Sequence, residues 1–160
     1  MSDGDIRGAF ATHPKFEDAA GDDAYAPTSN DWDATVTIED GAVAVTVRVP
    51  TLSAAVTEHD EVADVVEEGW FETLELRLAD ATNVTRAEAR GDPSVERDDG
   101  DVVFEATIDA RSGNVADDAL AVVNYVEGTW FEGIIPGYDY REDVQDLRDR
   151  AAGNAQADQL

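Results

Sequence analysis

From residue 32 onward the chain alternates. Ala34, Val36 and Ile38 fall on one side of an extended segment from Trp32 to Ile38, and Val43, Val45, Val47 and Val49 resume the period after Asp40-Gly41. A period of two marks a strand with one buried face. Asp-Gly between two such runs reads as a hairpin turn, because glycine reaches positive φ without strain. Pro50 stops the second strand. The pattern recurs later: Ser94 to Arg97, then Asp99-Gly100, then Val102, Phe104, Ala106 and Ile108 in alternation.

Between and after the hairpins the period lengthens. Thr57 and Asp60 have the spacing of a capping pair, and Val62, Val65, Val66 and Gly69 follow helical spacing. Beyond Trp70-Phe71, the alternation of Leu74, Leu76 and Leu78 with Glu75 and Arg77 predicts a strand. Residues 79–93 fit either a short helix or a strand carrying Val84. Asn114 is a plausible N-cap for a helix with Val115, Ala119, Val122, Val123 and Val126 on one stripe. Near the N-terminus, residues 3–12 read as a helix capped by Asp3, with Ile6 and Phe10 on one face and Pro14 ending it. Residues 19–31 are small and polar and read as a loop. Asp139 and Glu142 can cap a last helix over 140–152 bearing Val144, Leu147 and Ala151. Gly153 suits its end, and 154–160 read as a disordered tail.

The two halves superpose. A shift of 59 positions lays Val36 on Val95, Asp40-Gly41 on Asp99-Gly100 and Val49 on Ile108. A shift of 60 lays Val62 on Val122 and Trp70-Phe71-Glu72 on Trp130-Phe131-Glu132. The expected fold is therefore α+β: an antiparallel sheet of five to six strands from two ββα repeats (32–78 and 93–135), with helices packed on one face. Trp70 and Trp130 would occupy equivalent places. All of this fits one domain over residues 1–153.

Charge adds an environment to this picture. Asp and Glu number 37 against 11 Lys and Arg, for a net charge of −26, yet 42% of residues are hydrophobic. A folded core under an acidic shell follows. Lys15 is the single lysine. Lysine's apolar stem adds surface that concentrated salt penalises, and at ~1 M salt the Debye length of ~3 Å screens like charges. The composition thus points to a cytoplasm of molar salt. Nucleic-acid mimicry, the other reading of an acidic chain, would gather the carboxylates on one face, whereas here they recur in every segment. Clustered cations for nucleic acid are lacking, an Arg77, Arg86, Arg90 and Arg97 patch being the weak exception. No apolar run reaches membrane-spanning length and the first ten residues lack a signal-peptide core, so no membrane partner is expected. There is no cysteine, hence no disulfide or thiolate metal site.

The segments VVEEGWFETLELRL (65–78) and YVEGTWFEGIIPGYDY (125–140), with this composition, resemble a small family of acidic haloarchaeal proteins of unknown function. That resemblance implies a cytoplasmic location and no particular activity.

Candidate chemistry is sparse. His13 and His59 lack a second histidine at metal-ligand spacing and read as surface or capping residues. No GxGxxG, Walker loop or GxSxG occurs. Asp98-Asp99 and Asp117-Asp118 belong to the solvated shell. Glu72 and Glu132 occupy equivalent repeat positions and, if close, would form a ligand or cation site able to serve hydrolysis. The segment 129–140 concentrates aromatic and branched side chains, and Trp130, Phe131, Ile135, Tyr138 and Tyr140 are its candidate partner-binding residues. The expectation is a non-catalytic interaction module without cofactor, binding a protein partner or itself.

Overall fold

The computed structural model describes residues 1–158, with side chains described through Gly153. It has a six-stranded antiparallel sheet and five helices. Strands β3 (Asp33–Glu39) and β4 (Ala42–Pro50) form the first hairpin, and β5 (Ser94–Asp98) and β6 (Asp101–Asp109) the second. Both turns use the left-handed region: φ is +44° at Asp40, +75° at Gly41, +47° at Asp99 and +86° at Gly100. Two successive positive φ values match the right-handed twist of the flanking strands, which is why Asp-Gly serves here.

The hairpins join through their second strands. β4 pairs with β6, and Thr46 lies opposite Glu105 at the middle of both nine-residue strands. Those two residues are 59 apart (46 to 105), the offset by which the hairpin sequences superpose. Val43, Val45, Val47 and Val49 are buried on one face with Val36, Val102, Phe104 and Ile108. The opposite face carries half-buried Thr35, Thr37, Thr46 and Thr107.

Two further strands precede the first hairpin, the second of them inside residues 19–31, which the sequence reads as a loop. β1 (Phe16–Asp18) pairs with β2 (Ala24–Pro27), and β2 adds to β3 through only two residue pairs, giving the order β1-β2-β3-β4-β6-β5. Their segments are too short to show a period. They become strands because β3 offers an open edge. Segment 79–93 splits similarly. A 3₁₀ turn spans Ala81–Val84, and Ala89 then bridges Ile108, so residues 88–90 continue the β5 side of β6 beyond the kink at Gly91-Asp92-Pro93.

The helices cover the valine face. In α1 (Asp3–Ala11), Ile6 and Phe10 are fully buried. Its cap is Ser2, whose hydroxyl accepts from the Asp5 N–H; Asp3 instead accepts from Gly41 N–H and ties the helix to the first turn. After the single turn α2 (Leu52–Ala55), α3 runs Asp64–Leu78. The expected strand at Leu74–Leu78 is thus helix. Trp70, Phe71, Leu74 and Leu78 satisfy helical spacing and are buried, while Leu76, the middle member of the alternation, is exposed. α4 (Val115–Glu132) lies on β4 with Val115, Ala119, Val122, Val123 and Val126 buried, and it extends through the second Trp-Phe-Glu. α5 (Glu142–Asp158) passes Gly153, where the sequence placed its end and a disordered tail; residues 159–160 lie outside the described residues. No described helix is long and apolar enough to cross a membrane.

Candidate functional site

The loop after α4 folds back onto segment 55–60. Val56 bridges Tyr140, the Thr57 N–H donates to the Asp139 carbonyl (2.8 Å), and the Arg141 N–H donates to the Ala55 carbonyl (2.9 Å). This stitching decides the fate of the aromatic segment. Trp130 is 1% exposed; its Nε1–H donates to the Pro50 carbonyl at 2.8 Å and its ring meets Trp32 edge-on at 5.1 Å. Tyr140 is 4% exposed and its hydroxyl donates to the Ile135 carbonyl. Burial pushes the Tyr140 phenol above its ordinary range, partly opposed by the charge of Arg148. Both are core residues. Phe131, Ile135 and Tyr138 are half-buried against that core.

The two tryptophans are not equivalent. Trp70 stands beside the C-terminus of α4, where a Cβ at Gly133 would lie 3.8 Å from its Nε1. It forms one wall of a groove of about 350 Å³ between α3 and α4. Val65, Val66, Gly69, Thr73, Leu74 and Arg77 continue the α3 wall, and Thr129, Gly133 and Ile135 supply the other. The inner face of α3 is consumed by the core, so its remaining apolar residues are left outside: Val65 is 79% exposed and Leu76 is 74% exposed. Arg77 is positioned at both ends. Its guanidinium donates to Glu132 at 2.5 Å, and its carbonyl accepts from the Tyr125 hydroxyl at 2.8 Å.

The paired-carboxylate idea fares differently. Glu132 is tied to Arg77, whereas the charge of Glu72 acts on Arg97, which pairs with Glu68 one turn earlier on α3. Positions 72 and 77 are about 140° apart around a helix, so Glu72 and the Arg77 that holds Glu132 leave α3 in different directions. No group of three or more metal-ligating side chains occurs among the described residues. His13 bonds Asp117 at 2.8 Å. Of the four arginines Arg77, Arg86, Arg90 and Arg97, three hold a carboxylate: Arg77, Arg90 and Arg97.

A second cavity of about 350 Å³ lies between α4, α5 and the loop before β3. Glu127 on its wall is 8% exposed. Its carboxylate accepts from the backbone N–H of Trp32 (2.8 Å) and of Asp31 (3.3 Å). Burial raises its pKa, the two N–H donors oppose this, and the nearby Asp31 charge adds to the rise. Folded Glu127 therefore takes a proton at higher pH than the unfolded chain, and the stability its charge costs at neutral pH returns as pH falls through the raised value. The shift of 60 lays Glu67 on Glu127 and singles it out no further. Its one signal was a carboxylate on the apolar stripe of α4, three residues before Trp130.

Asp118, at the other end of α4, does not belong to the solvated shell its sequence context suggests: it is 6% exposed, because Arg111 folds over it and pairs with it. Burial alone would raise its pKa, but hydrogen bonds from Arg111 and Thr85, with the Arg111 charge, more than offset it and hold it below the ordinary aspartate range. A depressed carboxylate contributes stability above its unfolded pKa and loses it as pH falls through the folded one. Arg111→Met leaves that buried charge unpaired. The variant's urea midpoint should fall below the parent's at neutral pH, and the gap should narrow on acidification as Asp118 protonates in the variant. A gap independent of pH would show that Asp118 is not the linked group.

Comparison with known proteins identifies a match over residues 11–150 to a family described as Family of unknown function (DUF5813). No curated protein and no solved structure matches the chain.

Proposed function

The chain belongs to this family of unknown function, and from that premise we propose that it is a non-catalytic interaction module whose α3/α4 groove receives apolar side chains of a partner protein. The observation that carries this is the apolar surface on α3, in a chain of net charge −26. From Val65 on the cavity wall to Leu76 beyond it, this surface spans about 16 Å of helix, longer than a small ligand needs. An open groove between two helices suits an amphipathic helix laid along it. Glu72 lies one turn beyond Gly69 on α3, and Glu132 ends α4 and pairs with Arg77 of the groove wall. The complementary partner carries leucine-like anchors flanked by Arg or Lys. The surrounding carboxylates act as a hydration shell for a salt-rich cytoplasm and carry no specificity beyond that flanking charge.

Gly69 supplies the test. It sits inside α3 on the groove wall, and a Cβ there meets nothing within 4 Å. Gly69→Ala should raise stability by about 1 kcal/mol through helix propensity alone, read from urea melts. Gly69→Trp should fill the groove without touching the core. The probe is a synthetic helical peptide with leucines at i, i+4 and i+8 and arginines on its flanks, titrated in molar KCl while the Trp70 indole N–H resonance is followed. Saturable shifts in the parent, lost in Gly69→Trp and weakened when glutamates replace the flanking arginines, are expected. Equal binding by Gly69→Trp, or none by the parent, defeats the proposal. Shifts produced only by small apolar molecules would move the reading to a small-molecule site.

A further inference from the structure

We infer that the second cavity, between α4, α5 and the loop before β3, binds a small organic cation of the alkylammonium class, held against Trp32 and Phe131 with the Glu127 carboxylate as its counter-charge. This site is separate from the α3/α4 groove and does not depend on it.

Four observations fix the sign and softness of the ligand. First, the cavity of about 350 Å³ has two aromatic walls, Trp32 and Phe131, and Leu147 from α5 at its side. Aromatic faces attract cations, tryptophan most strongly, and the attraction grows with desolvation. Second, Trp32 is held on both sides. Its ring rests on Trp130, its N–H donates to Glu127, and its carbonyl accepts from the Asn30 side chain. The aromatic surface is thus set before any ligand arrives.

Third, Glu127 pairs with no cation among the described residues. Eight of the ten arginines pair with carboxylates elsewhere among the described residues. Glu127, more deeply buried than any other glutamate described, accepts only two backbone N–H groups. An ionised carboxylate offers about four lone-pair sites, so half remain unused. A buried carboxylate without a counter-ion is costly, and a cation entering this cavity would relieve that cost. Fourth, the guanidinium at the rim is already engaged: Arg150 pairs with Asp31 at 3.2 Å and is 65% exposed. An anionic ligand would have to displace Asp31 and then face Glu127. A small hydrated metal ion would need more oxygen ligands than this set provides, and it would gain little from Trp32 and Phe131. An alkylammonium ion, weakly hydrated and coated in methyl groups, matches both the aromatic walls and the single buried charge.

Arg150 then acts as a competitor at the rim, and this makes the test sharp. Choline chloride is titrated into the full chain in molar KCl, with Trp32 indole shifts and tryptophan fluorescence as readouts. The uncharged control is the alcohol in which carbon replaces the choline nitrogen. Choline should bind at least about tenfold more tightly than this isostere. Glu127→Gln should lose most of that preference. Arg150→Gln, altering an exposed side chain, should bind choline at least as tightly as the parent. Equal binding of choline and isostere, weaker binding in Arg150→Gln, or no saturable response in the parent overturns the inference. If Glu127→Gln proves unfolded by circular dichroism, the isostere and Arg150→Gln arms decide.

Discussion

Trp130→Ala should destabilise the protein by about 3–5 kcal/mol, the range for deleting a large buried aromatic side chain. Three losses combine. A fully buried indole leaves a cavity between α4 and the sheet, the Pro50 carbonyl loses its donor, and Trp32 loses the ring on which it rests. Urea melts in molar KCl measure the effect against Tyr138→Ala, where a half-buried residue on the same segment should cost far less. A Trp130→Ala cost near that of Tyr138→Ala would mean the tryptophan is not the keystone of this layer. The contrast matters for function. Binding lost in Trp130→Ala reports unfolding and not contact, so the groove is to be probed at Gly69.

Removing salt should act on the whole molecule. At −26 over 160 residues, the folded state confines its own repulsion. The Debye length grows from ~3 Å at 1 M salt to ~10 Å at 0.1 M, so carboxylates that ignore each other in brine interact across neighbouring elements in dilute buffer. The arginine pairs cannot compensate. Most are solvent-exposed, and exposed pairs contribute at most about 1 kcal/mol each. Loss of far-UV circular dichroism, or expansion by small-angle scattering, is expected below a few tenths molar KCl. Full ellipticity and an unchanged radius at low millimolar salt would sink the proposal of a salt-dependent fold. Because Asp118 and Arg111 are drawn together at close range with little solvent between them, that pair should be among the last electrostatic contacts to respond.

Some of the candidate site was visible in one dimension and some was not. Val65 and Gly69 were seen as helical, but nothing local showed that the inner face of α3 would be filled by Trp70, Phe71, Leu74 and Leu78, leaving Val65 and Leu76 outside. The alternation of Leu74, Leu76 and Leu78 satisfied two periods at once. Helix won because Trp70, Phe71, Leu74 and Leu78 could all pack inward, at the price of one exposed leucine. The aromatic segment 129–140 was recognised as apolar, yet its division into core (Trp130, Tyr140) and half-buried rim (Phe131, Ile135, Tyr138) depends on pairing with residues 55–60, some eighty positions away. Glu127 leaves no pattern in one dimension because its partners are backbone groups of Asp31 and Trp32, which carry no signature in sequence.

What the amino-acid sequence determined by itself is what short-range rules govern: two Asp-Gly hairpins with one valine face each, the helical stripe of α4, and an acidic shell around an apolar core. Side-chain period and turn chemistry act over a few residues and need no partner. Only the tertiary structure decided that Phe16–Asp18 and Ala24–Pro27 become strands, that the two hairpins meet through β4 and β6, and that two similar tryptophans end in different surroundings. Those outcomes turn on which open edge or apolar face lies near after folding, and that proximity is set by the whole chain at once.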